Sequence, residues 1–347
     1  NSDGLCNACQ WSIEKRSLNW KEREQELCLL LNKFRSQSGE PDCLIPVSGG
    51  KDGSYVASKL RNDFGMNPLT ITITPALSLH LGNSNLDNFI ASGFNHIKFS
   101  LNPKVLRKIN KTGLVEWGFP YFGWLLGIMT VPVRLATLLG INLIVYGEDG
   151  EVEYGGSLET KNNPEYNIDY MQRVYFEKGM EPVLKLAGLS PQEEYWFRFP
   201  PQNVSKQLKI IHWSYFENWD PYRNYLYAKE FCGLVESEES NPGTFTNFAQ
   251  NDQALYALHT YLMYLKFGFG RATQDAGIEI RRGAMARTQA LNLVKLYDGA
   301  FPTQFLELYL NYYEMNKQEF FEAILRHANR NLFEVLDLSV KPKFQPK

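Results

Sequence analysis

Histidine, cysteine and net charge are all scarce in this chain. The five histidines (His80, His96, His212, His259, His327) show no H-x-x-x-H or E-x-x-H spacing, which excludes a histidine-built metal centre. Lys and Arg number 36 against 38 Asp and Glu, a formal net charge of -2. That balance excludes a chain-wide electrostatic footprint for nucleic acid or an anionic membrane. Five cysteines (Cys6, Cys9, Cys28, Cys43, Cys232) are an odd count in a chain too large to need disulfide staples. They predict thiols kept reduced or given to a metal, and a cytoplasmic location. The opening Asn1-Ser2-Asp3-Gly4-Leu5-Cys6 has neither the basic nor the apolar region of a leader. The longest uncharged stretch, 117–133, is broken by Pro120, Gly123, Gly127 and Pro132 and falls short of the roughly 18 apolar residues of a span. It reads as a buried loop and helix, with no membrane contact. With 44% hydrophobic and 21% charged residues, the chain is globular rather than disordered, and its 347 residues suggest about two domains.

What is present is organised. From Pro41 to about Gly150 short apolar runs alternate with helical periods, the pattern of a doubly wound α/β parallel sheet. Strands are predicted at 44–47, 69–73, 97–100 and 141–146, and helices at 54–64, 84–92, 103–111 and 125–139. An amphipathic helix at 20–35 precedes them, with Leu27, Leu30, Leu31 and Phe34 as its apolar stripe. After Glu151 the chain turns irregular and rich in Tyr, Trp, Pro and Gly; from Asn251 it is mainly helical, with a frayed tail from Lys341. The expected parts are 1–40 (an N-terminal Cys-containing element and the amphipathic helix), 41–160 (an α/β nucleotide domain) and 161–347 (a mainly helical region for substrate or partner).

Chemistry is densest after the first strand, in Ser48-Gly49-Gly50-Lys51-Asp52-Gly53-Ser54. Two adjacent glycines let the backbone approach a ligand, and the following helix start offers unpaired N–H groups and a positive dipole end. Ser48 and Ser54 add hydroxyls and Lys51 a mobile charge, while Asp52 can hold Mg²⁺ or cap the helix. This is a phosphate cradle. Its spacing is neither G-x-x-x-x-G-K-[ST] nor G-x-G-x-x-G. It resembles the PP-loop of the ATP pyrophosphatases, S-G-G-x-D-S followed by Ser or Thr; Gly53 departs from it. That resemblance implies cleavage of ATP to AMP and pyrophosphate, with AMP transferred to a substrate oxygen.

Around the loop stand Cys6-Asn7-Ala8-Cys9, Asn19-Trp20-Lys21-Glu22-Arg23, Gly65-Met66-Asn67-Pro68-Leu69, Gly82-Asn83-Ser84-Asn85-Leu86, Tyr146-Gly147-Glu148-Asp149 and Glu153-Tyr154-Gly155-Gly156. Together they resemble the N-acetyl sugar amidotransferase family of lipopolysaccharide and flagellin sugar biosynthesis, over nearly the whole chain. The resemblance implies conversion of a sugar's acetamido group to an acetamidino group through an O-adenylylated imidate, with ATP and Mg²⁺, in O-antigen or surface polysaccharide biosynthesis. It implies ammonia from a glutaminase subunit similar to that of histidine biosynthesis, and a cyclase-type barrel as a further partner. It also implies that Cys6 and Cys9 are half of a four-cysteine structural zinc knuckle completed before Asn1. Cys28, Cys43 and Cys232 read as small buried hydrophobes. A PP-loop tRNA sulfurtransferase and a non-catalytic assembly subunit are the rival readings.

Residue placement adds further expectations. Glu148 and Asp149 follow a strand at the edge where open α/β sheets bind ligands. Glu148 can deprotonate ammonium or orient the amide, and Asp149 can help hold Mg²⁺ or substrate; the plain alternative is a pair of solvated carboxylates. Gly147 and strand-end Thr72 and Thr74 suit the nucleotide, as does a turn at 82–85. Tyr154 lies in a turn that can close over the sugar. Arg281, Arg282 and Arg287 are expected to open a helix and bind an acidic sugar or a nucleotide diphosphate, or to pair with Asp298 or Glu279. Trp196, Trp213 and Trp219 can stack on sugar faces or simply fill core.

Overall fold

The computed structural model describes residues 4–346 apart from 177, 178, 202, 204 and 206. Five strands form one parallel sheet in the order β3-β2-β1-β4-β5: β1 (Cys43–Pro46), β2 (Pro68–Ile73), β3 (His96–Phe99), β4 (Leu143–Tyr146) and β5 (Lys209–His212). The order reverses between β1 and β4, which pair at Leu44 and Ile144. This is the doubly wound α/β sheet expected, with a helical region behind it.

Alternation along the strands sorts side chains to two faces, because successive residues point to opposite sides. Leu44, Ile71, Ile73 and Ile144 join one core with α5 (Pro103–Trp117) and α6 (Phe122–Leu139). Cys43, Ile45, Leu143 and Val145 join the other, with α2 (Trp20–Phe34), α3 (Lys51–Asn62) and α4 (His80–Ala91). On α2 the stripe Leu27 and Leu31 is buried, and so is Arg23, whose guanidinium lies 4.1 Å from the Tyr215 ring centre and donates to the Tyr215 carbonyl at 2.9 Å. α6 is long and apolar enough by length and composition to cross a membrane. It begins earlier than its period suggested and carries Pro132 inside it, packing as a core helix with Leu126, Val131 and Val133 fully buried.

The sheet runs past the boundary expected at 160, since β5 lies at 209–212. Short helical turns fill the segment between α7 (Gly150–Tyr154) and β5. Then come α8 (Pro221–Cys232), α9 (Leu255–Phe267), α10 (Arg271–Arg282), α11 (Arg287–Tyr297), α12 (Leu306–Tyr313) and α13 (Lys317–Leu325). Leu255, Leu258 and Leu262 of α9 and Phe320 of α13 enter the core that Ile71 and Ile73 occupy. The expected frayed tail is ordered as far as β7 (Ser339–Pro342), which pairs antiparallel with β6 (Phe333–Leu336). Phe344 holds it down, with its ring centre 5.6 Å from that of Phe333.

Candidate functional site

The loop after β1 sits where a phosphate cradle must, at the carboxyl edge of the sheet beside the switch point. Val47 extends the ladder by donating to Ile71 at 2.8 Å, and Ser48 Oγ then accepts from the Gly50 N–H at 3.4 Å. Gly49 has φ +79°, and a Cβ there would stand 2.4 Å from the Leu86 backbone nitrogen; only glycine fits. Gly50 begins α3 without any side-chain cap, so the first N–H groups of a twelve-residue helix open toward the cavity. Ser48, Gly50, Lys51, Asp52, Gly53 and Glu148 line that cavity, of about 250 Å³.

Lys51 is buried and pairs with Asp52, whose other carboxylate oxygen accepts from Asn224 of α8 at 3.1 Å. Glu148 sits beyond β4, one oxygen accepting from Tyr154 at 3.1 Å and the other from the Trp219 indole at 2.9 Å. Burial first, and then the charge of Asp52, push its carboxyl up to about 7. A group poised there can exchange a proton near neutral pH. Gly147 lets the Trp219 ring and Asp52 close in on the loop, within 3.2 and 3.6 Å of where its Cβ would be.

A second, more apolar slot of about 220 Å³ adjoins the cavity, meeting it at Ser48, Gly53, Gly82 and Asp252. Thr72 and Thr74 line it, as expected, with Trp124, Ile128 and Tyr146 as walls. Thr72 Oγ1 donates to the Val47 carbonyl at 2.5 Å, which ties the strand end to the loop. Residues 82–85, expected as a turn, are the first turns of α4. A Cβ on Gly82 would stand 2.3 Å from Asp252 Cα, so the glycine admits the 251–252 backbone against the helix.

Five expectations are corrected by the geometry. Asp149 faces away from the phosphate loop: it is fully buried, caps α7 through the Glu151 N–H at 3.0 Å, and sits among the hydroxyls of Thr160, Tyr170 and Tyr175. Ser54 Oγ is buried without a partner among the described residues and lines neither cavity. The three arginines do not act as one cluster at a helix start: Arg281 and Arg282 end α10, which stops at Gly283 with φ +77°, and only Arg287 opens the expected helix, α11, where it lines a different groove. Tyr154 ends a helix, α7, rather than standing in a turn. Cys28, expected inside, is exposed on α2, whereas Cys43 and Cys232 are buried as expected.

Other residues that reach the site carry no motif. Arg271, at the start of α10, lines the phosphate cavity; its Nε is 2.9 Å from Asp275. Burial disfavours its charge, but Asp275, Tyr154, Glu148 and Asp52 outweigh that and hold it protonated. Asp252 lines both cavities, with one carboxylate oxygen unpartnered among the described residues, and burial pushes it up to about 7. Only the Gly268-Phe269-Gly270 step before a helical period hinted at Arg271.

No three His, Cys, Asp or Glu side chains converge on one point among the described residues. Asp52 suits Mg²⁺, which commonly takes one or two carboxylates alongside phosphate oxygens. Cys6 and Cys9 lie at the start of α1 (Asn7–Glu14), two thiols where a structural zinc requires four ligands.

Residues 242–343 match the family described as LPS biosynthesis protein WbpG-like, C-terminal domain. The C-terminal part of the chain is thus similar to a WbpG-like domain. It carries Asp252 and Arg271, so the WbpG-like domain supplies one wall of the cleft that the α/β sheet begins. The match agrees with the family resemblance of the motifs between Cys6 and Gly156. No curated protein matches the chain. A solved structure described as a predicted subunit of tRNA methyltransferase from Methanocaldococcus jannaschii DSM aligns at 17% identity and TM-score 0.25, over 42% of this chain and 72% of that one; a score so low carries no argument.

Proposed function

We propose that this protein is the ATP-dependent amidotransferase of a surface-polysaccharide pathway, converting a sugar's acetamido group to an acetamidino group. The observation that carries the reading is the phosphate cavity: an uncapped helix start, Lys51, Arg271 and the near-neutral Glu148 converge beside an apolar slot at the sheet's switch point. The WbpG-like domain supports the lipopolysaccharide context.

In this reading the slot takes adenine, and the loop amides with Lys51 and Arg271 take the phosphates. An amide carbon is a poor electrophile, so the amide oxygen first attacks the α-phosphorus. The bond to pyrophosphate breaks, leaving an O-adenylyl imidate. Ammonia adds to the imidate carbon, gives a proton to Glu148, and AMP departs on the former amide oxygen. Negative charge growing on the α-phosphate and pyrophosphate faces two fixed cations and oriented N–H groups, where stabilisation is largest. Mg²⁺ held by Asp52 would add charge neutralisation to the phosphates. Ammonia is supplied by a separate glutaminase, with a cyclase-type barrel as a further partner, and the reaction is cytoplasmic.

Release of AMP and pyrophosphate, measured with acetamido sugars, ATP and ammonium, tests the reading. Release that requires sugar and is lost by at least about 10³-fold in Lys51→Ala is expected. Release only with tRNA, or none with any sugar, overturns it.

A further inference from the structure

A second polar cavity, of about 350 Å³, lies beside the phosphate cleft between α1, α7, the 218–221 loop and the end of α10. Its charge is one-sided. Lys15, Arg16, Arg281 and Arg282 line it against Glu153 and Asp220, an excess of two positive charges (four minus two). Lys15 is neutralised by Glu153 at 2.8 Å, and Arg282 by Asp220 at 3.3 Å and Glu279 at 3.0 Å. Arg281 has no carboxylate partner among the described residues; its neighbours are the Cys6 and Cys9 thiols.

The remaining wall is aromatic. Trp11 and Trp219 spend their indole N–H groups on Glu153 (2.8 Å) and Glu148 (2.9 Å), which leaves ring surface to the cavity. Tyr154 lines both this cavity and the phosphate cleft, and its hydroxyl donates to Glu148. Tyr154 therefore stands between the two spaces, and the proton-exchanging carboxylate is bonded both to it and to Trp219 on the far wall.

We propose that this cavity seats the anionic part of the sugar substrate, a carboxylate or a nucleotide diphosphate, with Arg281 as its principal contact and the indoles against the ring. The proposal rests on the amidotransferase reading for why a sugar must come here, but the contact itself is independent of it. An uncompensated guanidinium offers two-pronged bonds to either anion, and an indole face suits sugar C–H groups. Held by its anionic end, the sugar lies across Tyr154 from the phosphate loop.

Tryptophan fluorescence and calorimetric titration of the full chain with UDP, glucuronic acid, UDP-N-acetylglucosamine and neutral N-acetylglucosamine test it. The wild type is expected to bind UDP or glucuronic acid, the preferred one identifying the anion, and to bind N-acetylglucosamine more weakly. Arg281→Ala should weaken the anionic ligands by about 10- to 100-fold, a charge-assisted bond's worth, and Arg281→Lys by less. ATP affinity measured on the same samples should stay unchanged, which shows that the fold and the phosphate cleft are intact. Equal binding by wild type and Arg281→Ala, or no binding of any probe by the wild type, overturns the proposal. If the Arg281 dependence holds while no sugar elicits AMP release, the site stands and the amidotransferase reading falls.

Discussion

At the scale of single residues, Glu148 carries the most chemistry. Its carboxyl is raised to about 7 in the folded chain, from 4.5 for an unperturbed glutamate, chiefly by burial. It is protonated below that value and a base above it. With free ammonia held constant, kcat/KM should rise with pH through the neutral range, and Glu148→Gln should remove that limb. Asp252→Asn, which replaces the other acid near 7 in the cleft, should leave it in place. The same shift has a stability consequence of definite sign. Between about pH 4.5 and 7 the folded chain holds a proton that the unfolded chain has lost, so stability falls as pH rises. Glu148→Gln should therefore gain on the wild type between pH 5 and pH 8, by on the order of 2 kcal/mol in urea unfolding. Arg271→Lys keeps a charge next to Asp275 but loses the planar fork; kcat/KM for AMP release is expected to drop about 10- to 100-fold with little change in melting temperature. Asp149→Asn should do the reverse. It disturbs a buried hydroxyl cage at a cost of about 1–3 kcal/mol, and kcat per folded molecule should be preserved.

At the scale of elements, legibility follows distance along the chain. The phosphate loop, four strands and their helices could be read because each is written locally, in a strand period, a glycine pair or a helical spacing. β5 was invisible, since Lys-Ile-Ile-His is too short to stand out from the irregular stretch around it. Arg281 and Arg282 close a helix instead of opening one because Gly283, which in sequence looks equally like a start, is the stop. Asp252 and Arg271 reach the phosphate loop across about two hundred residues, and no period encodes such a meeting. Gly82 shows what the contact demands of an element. Replacing it with Ala drives a Cβ into the Asp252 backbone, which cannot turn aside as a flexible side chain can. Gly82→Ala should cost about 2 kcal/mol or more in thermal unfolding, with weaker ATP binding, whereas Gly140→Ala meets open space and should act only through its φ of +71°.

At the scale of the whole molecule, the sheet and the WbpG-like domain share one core, in which Ile71 and Ile73 pack with Leu258, Leu262 and Phe320. Calorimetry should show a single cooperative transition in place of two. The contact between 77–79 and 252–254 has a further consequence. Leu79 donates to the Asp252 carbonyl, and Ala254 donates to the Leu77 carbonyl, both at 2.9 Å, so the strand-end loop and the first residues of the WbpG-like domain are stitched as backbone to backbone. Such a seam does not depend on which side chains lie along it, but it does depend on spacing. Insertions or deletions between Ile73 and His80, or between Gln250 and Leu255, would therefore move one wall of the cleft against the other, whatever side chains they carried. The module is therefore not interchangeable. A helical region grafted from elsewhere would have to reproduce the length of that seam before it could reproduce any chemistry.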